Sequence, residues 1–221
     1  MVGAAAGLIG AVLIAAGYLL IGGLPSPDAS GQDVYARFLD DRSTLRLGAL
    51  LTIAGIASFV AFLAAFREAV DAGRRTVASA AMLSAGLVAA AAASFYAAAI
   101  GALAVGAENA APESSRATLD LAQAVWAGGG AFFALTLVAA AGASARPGSG
   151  VTARVGGLAV AAAPLCLLWT APLVVDAGVL EQGSIVGTEI GLLALLLWIV
   201  FAALWMRRRA ALAGAELSTS R

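Results

Sequence analysis

Six stretches of this chain run for about 20 residues or more with almost no charge, and no other feature limits its fold as strongly. They cover residues 3–24, 47–66, 77–104, 121–144, 155–175 and 185–206. A helix needs about 20 apolar residues to cross about 30 Å of hydrocarbon, and in lipid the backbone must satisfy its own hydrogen bonds. The expected fold is therefore all-α: a polytopic membrane bundle of six transmembrane helices within residues 1–209, with 210–221 a short tail. Composition agrees. Of the 221 residues, 62% are hydrophobic and 12% charged, about half the roughly 25% that covers a soluble domain. The third uncharged run, residues 76–107, would reach about 48 Å as one helix. It should tilt, or end early near Gly101 and Gly106. Residues 1–24 lack a basic leading segment and a clear small-x-small site before Pro25, so an uncleaved first span is expected.

Arginine placement orients the spans. All 13 basic residues are arginine. Arg67, Arg74, Arg75, Arg146, Arg154, Arg207, Arg208, Arg209 and Arg221 fall on one side of the expected bundle, and Arg37, Arg42, Arg46 and Arg116 on the other. The positive-inside rule puts the richer side, with both termini, in the cytoplasm. Arginine without lysine, with abundant Ala and Gly, reads as GC-rich bacterial coding, hence a multi-pass protein of a bacterial plasma membrane. Trp205 on the inner side and Tyr18, Tyr96 and Trp126 on the outer are expected in the aromatic belts of the two interfaces.

Between the first two spans lies PSPDASGQDVYARFLDDRSTLR, residues 25–46. Pro25 and Pro27 should end the first span, Ser30 should cap a new helix, and Ser43 should cap the second span. Val34, Tyr35, Phe38 and Leu39 share one face of that short helix, and Asp33 and Arg37 make an i,i+4 pair on the other. A helix of about 12 residues is marginal alone, so its apolar face must rest on the bilayer interface or on the end of the bundle. It reads as an interfacial helix, either a lid or a passive connector. Pro27-Asp28-Ala29-Ser30 is echoed by Pro112-Glu113-Ser114-Ser115, which hints at three stacked helical hairpins.

The missing residues exclude much chemistry. With no lysine and no histidine there is no retinal Schiff base, P-loop lysine, His-ligated haem, HExxH zinc site or Ser–His dyad. The single cysteine, Cys166, can form no disulfide within the chain and reads as a small core residue. No cofactor is expected. Zero net charge argues for no nucleic-acid partner. The partners are the lipid bilayer and other membrane proteins, and nothing sets an oligomeric state.

Charge near the bilayer centre costs at least about 2.5–3.5 kcal/mol, and only Glu189 comes close to being so placed. It precedes Arg207 by 18 residues, about 27 Å of helix, just inside the outer interface. With Asp176, Asp120 and Thr188 it makes a candidate cation-binding group, with Ser184 a further hydroxyl. Alternatively it reaches up to headgroups or water. The basic side chains placed to pair with it are Arg116 and the arginines of loop one. Pro164 should kink the fifth span, and Gly3xxxGly7 and Gly187xxxGly191 favour close helix packing.

The Pro-Asp-Ala-Ser element at 27–30, the helix ending Phe38-Leu39-Asp40-Asp41-Arg42 and the apolar span after it resemble a loose group of Ala-rich, six-span membrane proteins of actinobacterial type. The resemblance implies the topology and carries no catalytic residue. Three functions fit the sequence. One is a non-enzymatic accessory, scaffold or regulatory membrane subunit. Another is a small transporter or channel for a lipophilic or cationic solute with an outward-facing acidic site. The third is a lipid-acting membrane enzyme.

Overall fold

The computed structural model describes residues 2–26, 28–71, 75–145, 151, 153–173 and 189–219, with the backbone alone for 213–219. Seven α-helices account for most of them: α1 (Val2–Ile21), α2 (Gly31–Asp40), α3 (Arg42–Asp71), α4 (Val77–Gly106), α5 (Pro112–Ser144), α6 (Ala153–Leu168) and α7 (Ile190–Thr219). Short 3-10 turns follow α4 at Ala107–Asn109 and α6 at Ala171–Leu173. No strand occurs among the described residues. All helices except α2 belong to segments long and apolar enough to cross a membrane, six in number. The chain is a multi-pass, all-α membrane protein.

Each spanning helix packs beside its neighbour in sequence, and α7 returns to α1, so the six close a ring. The closest seam joins α1 and α3. Gly3, Gly7, Gly10, Ile14, Gly17 and Ile21 follow a heptad spacing on α1, opposite Gly48, Thr52, Gly55, Phe59, Phe62 and Phe66 on α3. A Cβ on Gly17 would collide with the Thr52 hydroxyl and lie 2.7 Å from the Gly48 carbonyl; one on Gly48 would lie 3.0 Å from the Gly17 carbonyl. Small residues thus let two backbones touch, which replaces the hydrophobic drive that lipid cannot supply between helices.

Helix ends are set by local chemistry. Glycine, not proline, stops α1: Gly22 N–H donates to the Tyr18 carbonyl, and Gly23 adopts φ +68°, a left-handed conformation that strains other L-residues. Pro25 lies beyond that stop, and Pro27 is outside the described residues. Ser30 caps α2 in a reciprocal box: its hydroxyl accepts from the Asp33 amide while the Asp33 carboxylate accepts from the Ser30 amide and hydroxyl. Those bonds hold the Asp33 carboxyl below its ordinary value, the hydroxyl contributing most. Asp33 is therefore engaged, and Arg37 pairs with Asp41 instead of the expected Asp33. Ser43 does not cap α3, because α3 starts at Arg42 and Leu45 N–H already bonds to the Asp41 carbonyl. The third span does not end at Gly101; its helix runs on to Gly106 and tightens into the 3-10 turn. α6 continues through Pro164 and gives way to 3-10 hydrogen bonding after Leu168.

The apolar face of α2 rests on protein. Val34 and Phe38 are fully buried, Tyr35 and Leu39 half-buried, and the helix lies chiefly on α5 with α3 and α4 alongside. The end of the bundle won over the bilayer interface because α5, starting at Pro112, extends beyond its apolar run and offers a wall. Gly31 seats there: a Cβ on it would lie 2.8 Å from the Pro112 carbonyl.

The interior of the ring holds large rings. Tyr96 stacks on Trp126 at 4.9 Å, Trp126 meets the edge of Trp169 at 4.4 Å, and Trp169 stacks on Phe133 at 5.5 Å. Phe59, Phe62 and Phe66 carry the column on to Trp198 and Trp205, where the Arg209 guanidinium lies 5.6 Å over the ring. All four tryptophans of the chain lie in it. The aromatic belts expected for Tyr96, Trp126 and Trp205 are therefore absent: each is buried, at 5%, 8% and 8% exposure. Six helices closed into a ring leave a central gap that Ala and Gly are too small to fill, and the rings fill it. Tyr18 is half-buried and lines the cavity described next.

Candidate functional site

At the α2 end the column stops short of the surface and leaves a cavity of about 220 Å³. Its walls are Tyr18 and Ile21 of α1, the linker Gly22–Ser26, Tyr96 of α4, Gln123 and Trp126 of α5, and Glu189 at the edge of α7. One turn of α5 presents Gln123 and Trp126 together, since residues three apart share a helix face. Glu189 comes into it because α7 packs between α6 and α1 with its first residue level with the last turn of α1.

The linker that rims the cavity is pinned from outside. Arg37 Nη2 donates to the Gly22 carbonyl at 3.0 Å, and Arg116 Nη1 donates to the carbonyls of Ser26, at 2.9 Å, and Ala29, at 3.3 Å. Each guanidinium is also neutralised one turn away on its own chain segment, Arg37 by Asp41 and Arg116 by Asp120, whose Oδ2 lies 3.0 Å from Arg116 Nε. Across the same end Arg42 pairs with Glu108.

This arrangement separates the residues grouped from sequence. Glu189 lines the cavity, while Asp120 lies outside it, bound to Arg116 on the α2–α5 face. Asp120 and Arg116 satisfy each other at i,i+4, so neither reaches Glu189. Asp176, Thr188 and Ser184 lie outside the described residues. Among the described residues no three His, Cys, Asp or Glu side chains come together to hold a metal, and Glu189 enters no ion pair.

Sequence reasoning missed Gln123, which like Asp71, Trp169 and Trp198 has a buried polar atom without a partner among the described residues. It is 8% exposed, and its Oε1 has no hydrogen-bond partner among the described residues. A buried unpaired acceptor costs about 1–3 kcal/mol, so most such groups are matched. The signal was present: Gln123 is the one side-chain amide inside any of the six apolar runs. Below the cavity, Trp126 separates it from a dry space of about 20 Å³ lined by Ile14, Ile56, Phe59, Phe133 and Leu192 among others, room for a single water at most. The cavity therefore opens at one end of the bundle and is closed toward the other. Cys166 belongs to the core, its thiol donating to the Gly191 carbonyl at 3.5 Å.

No protein-family model, curated protein or solved structure matches this chain.

Proposed function

We propose that this chain is a solute-binding membrane protein of a bacterial plasma membrane, the binding part of a small transporter, with the cavity facing outward and both termini in the cytoplasm. The observation that carries this reading is the cavity itself. An otherwise Ala- and Leu-rich bundle gathers two tyrosines, a glutamine and a carboxylate from four separated segments around one space. Binding sites are concave, largely apolar and furnished with a few convergent polar groups. At about 220 Å³ this one is below the roughly 300–1,000 Å³ of drug-sized sites, so its occupant is a small molecule and not a lipid.

The aromatic column beneath favours a second reading, the non-enzymatic accessory or scaffold subunit, because among the described residues Trp126, Trp169, Phe133 and Phe59 pack together below the cavity. Cysteine accessibility separates the two. In a Cys166→Ser background, Gln123→Cys should react with a small water-soluble methanethiosulfonate in the detergent-purified protein, as exposed Asp28→Cys does, while Ile56→Cys stays protected. An unreactive Gln123→Cys in a monodisperse protein, with Asp28→Cys labelled, would leave the accessory reading standing.

A further inference from the structure

We infer that the ligand of the cavity is a small organic ammonium: a primary or secondary amine, protonated, attached to a flat or compact apolar body. This rests on the solute-binding reading above and names what is bound.

Sign comes first. Among the described residues Glu189 is the one carboxylate in the lining, and no basic side chain lines the cavity with it. The two guanidiniums that touch the rim, Arg37 and Arg116, spend their donors on linker carbonyls and on Asp41 and Asp120. An anion entering the cavity would meet a like charge in Glu189, with no basic side chain among the described lining residues to offset it. A cation meets the opposite charge that Glu189 lacks among its described neighbours.

Hydrogen bonding narrows the choice. The Glu189 carboxylate lines the cavity as an acceptor and is in no hydrogen bond or ion pair among the described residues. A carboxylate acceptor calls for an N–H donor, which a primary or secondary ammonium carries and a quaternary ammonium does not. The bond from such an ammonium to Glu189 is charge-assisted, the stronger kind of hydrogen bond.

Shape completes it. Tyr18, Tyr96 and Trp126 surround the same space, with Tyr96 and Trp126 locked together as a stacked pair. Aromatic faces attract a cation within about 6 Å of the ring centre and also accept an apolar body, so they suit both ends of an arylalkyl or alkyl amine. Trp126 is held from below by the edge of Trp169, which makes the floor rigid and limits the length of that body.

The test uses the full chain in detergent and three probes of one size: 2-phenylethylammonium, its N,N,N-trimethyl derivative and phenylacetate. Binding is read by titration calorimetry and by the tryptophan fluorescence of the cavity floor. The expected order is 2-phenylethylammonium tightest, by about tenfold or more over either alternative. Glu189→Gln should weaken it about tenfold, with the thermal unfolding midpoint of that variant without probe unchanged or raised. Equal binding of phenylacetate, or an affinity for the ammonium that Glu189→Gln leaves untouched, would overturn the proposal. Tighter binding of the trimethyl derivative would overturn the hydrogen-bonding half of it. Absence of saturable binding by all three probes, with Gln123→Cys reactive, sinks the ligand class and leaves the cavity reading intact. An unreactive Gln123→Cys removes both.

Discussion

Single residues do two opposite jobs in this bundle, and glycine shows both. Gly17 sits where α1 and α3 touch, and the first atom of any side chain there would meet the Thr52 hydroxyl and the Gly48 carbonyl. Gly128 lies inside α5 with nothing within 4 Å of where a Cβ would go. The two should respond to alanine with opposite signs. Gly17→Ala forces backbone apart and should cost about 1–3 kcal/mol, the usual penalty for overpacking. Gly128→Ala fills open space and removes a flexible residue from a helix interior, so it should be neutral or stabilise by about 0.5–1 kcal/mol. Thermal unfolding of both variants in one detergent decides. A Gly128→Ala loss as large as that of Gly17→Ala would mean that the backbone contact between α1 and α3 does not set stability.

At the scale of elements, α2 is the piece whose footing the sequence left open between the bilayer interface and the end of the bundle. Its amphipathic pattern is legible in residues 33–41, and its cap at Ser30 follows from side-chain chemistry that needs no neighbours. What it rests on is a different matter: Phe38, at 1% exposure, is inserted into the bundle end above α5. Phe38→Asp places a charge in that contact and should cost more than the about 3–5 kcal/mol of a simple Phe truncation. Asp40→Ala, on the exposed face, should stay within about 0.5 kcal/mol. Expression level and unfolding midpoint report both. Equal tolerance would show that α2 does not dock. Because Arg37 of α2 holds the Gly22 carbonyl at the cavity rim, undocking α2 should also loosen the rim.

At the scale of the whole molecule, the ring order and the arginine split make one joint prediction. Chain direction puts Asp28 and Glu113 at the α2 end, and Glu68 and Ala211 at the end carrying Arg67 and Arg207–Arg209. In the Cys166→Ser background, cysteine at 28 or 113 should react with a membrane-impermeant thiol reagent on intact cells, and cysteine at 68 or 211 only after permeabilisation. Labelling at 68 with protection at 28 would reverse the orientation and turn the cavity toward the cytoplasm.

What the sequence by itself determined is everything that lipid and local backbone chemistry dictate. Apolar length makes spans, because hydrocarbon cannot satisfy a bare peptide group. The Ser30 cap and the bias of arginine to one side are equally local or additive. The tertiary structure decided which faces look inward. Helices rich in Ala, Leu and Gly all round have no polar side to turn outward, so periodicity could not separate Trp126 in a lipid belt from Trp126 at the floor of a cavity. The same ambiguity hid the heptad of Gly10, Gly17, Gly48 and Gly55, whose meaning exists only when two helices lie antiparallel. Asp120 looked like a companion for Glu189 by depth, but depth is one coordinate, and position around the ring gave it to Arg116. Tyr18, Tyr96, Gln123 and Glu189 are far apart along the chain; closure of α7 onto α1 brings them to one space, and no pattern in the chain encodes that closure.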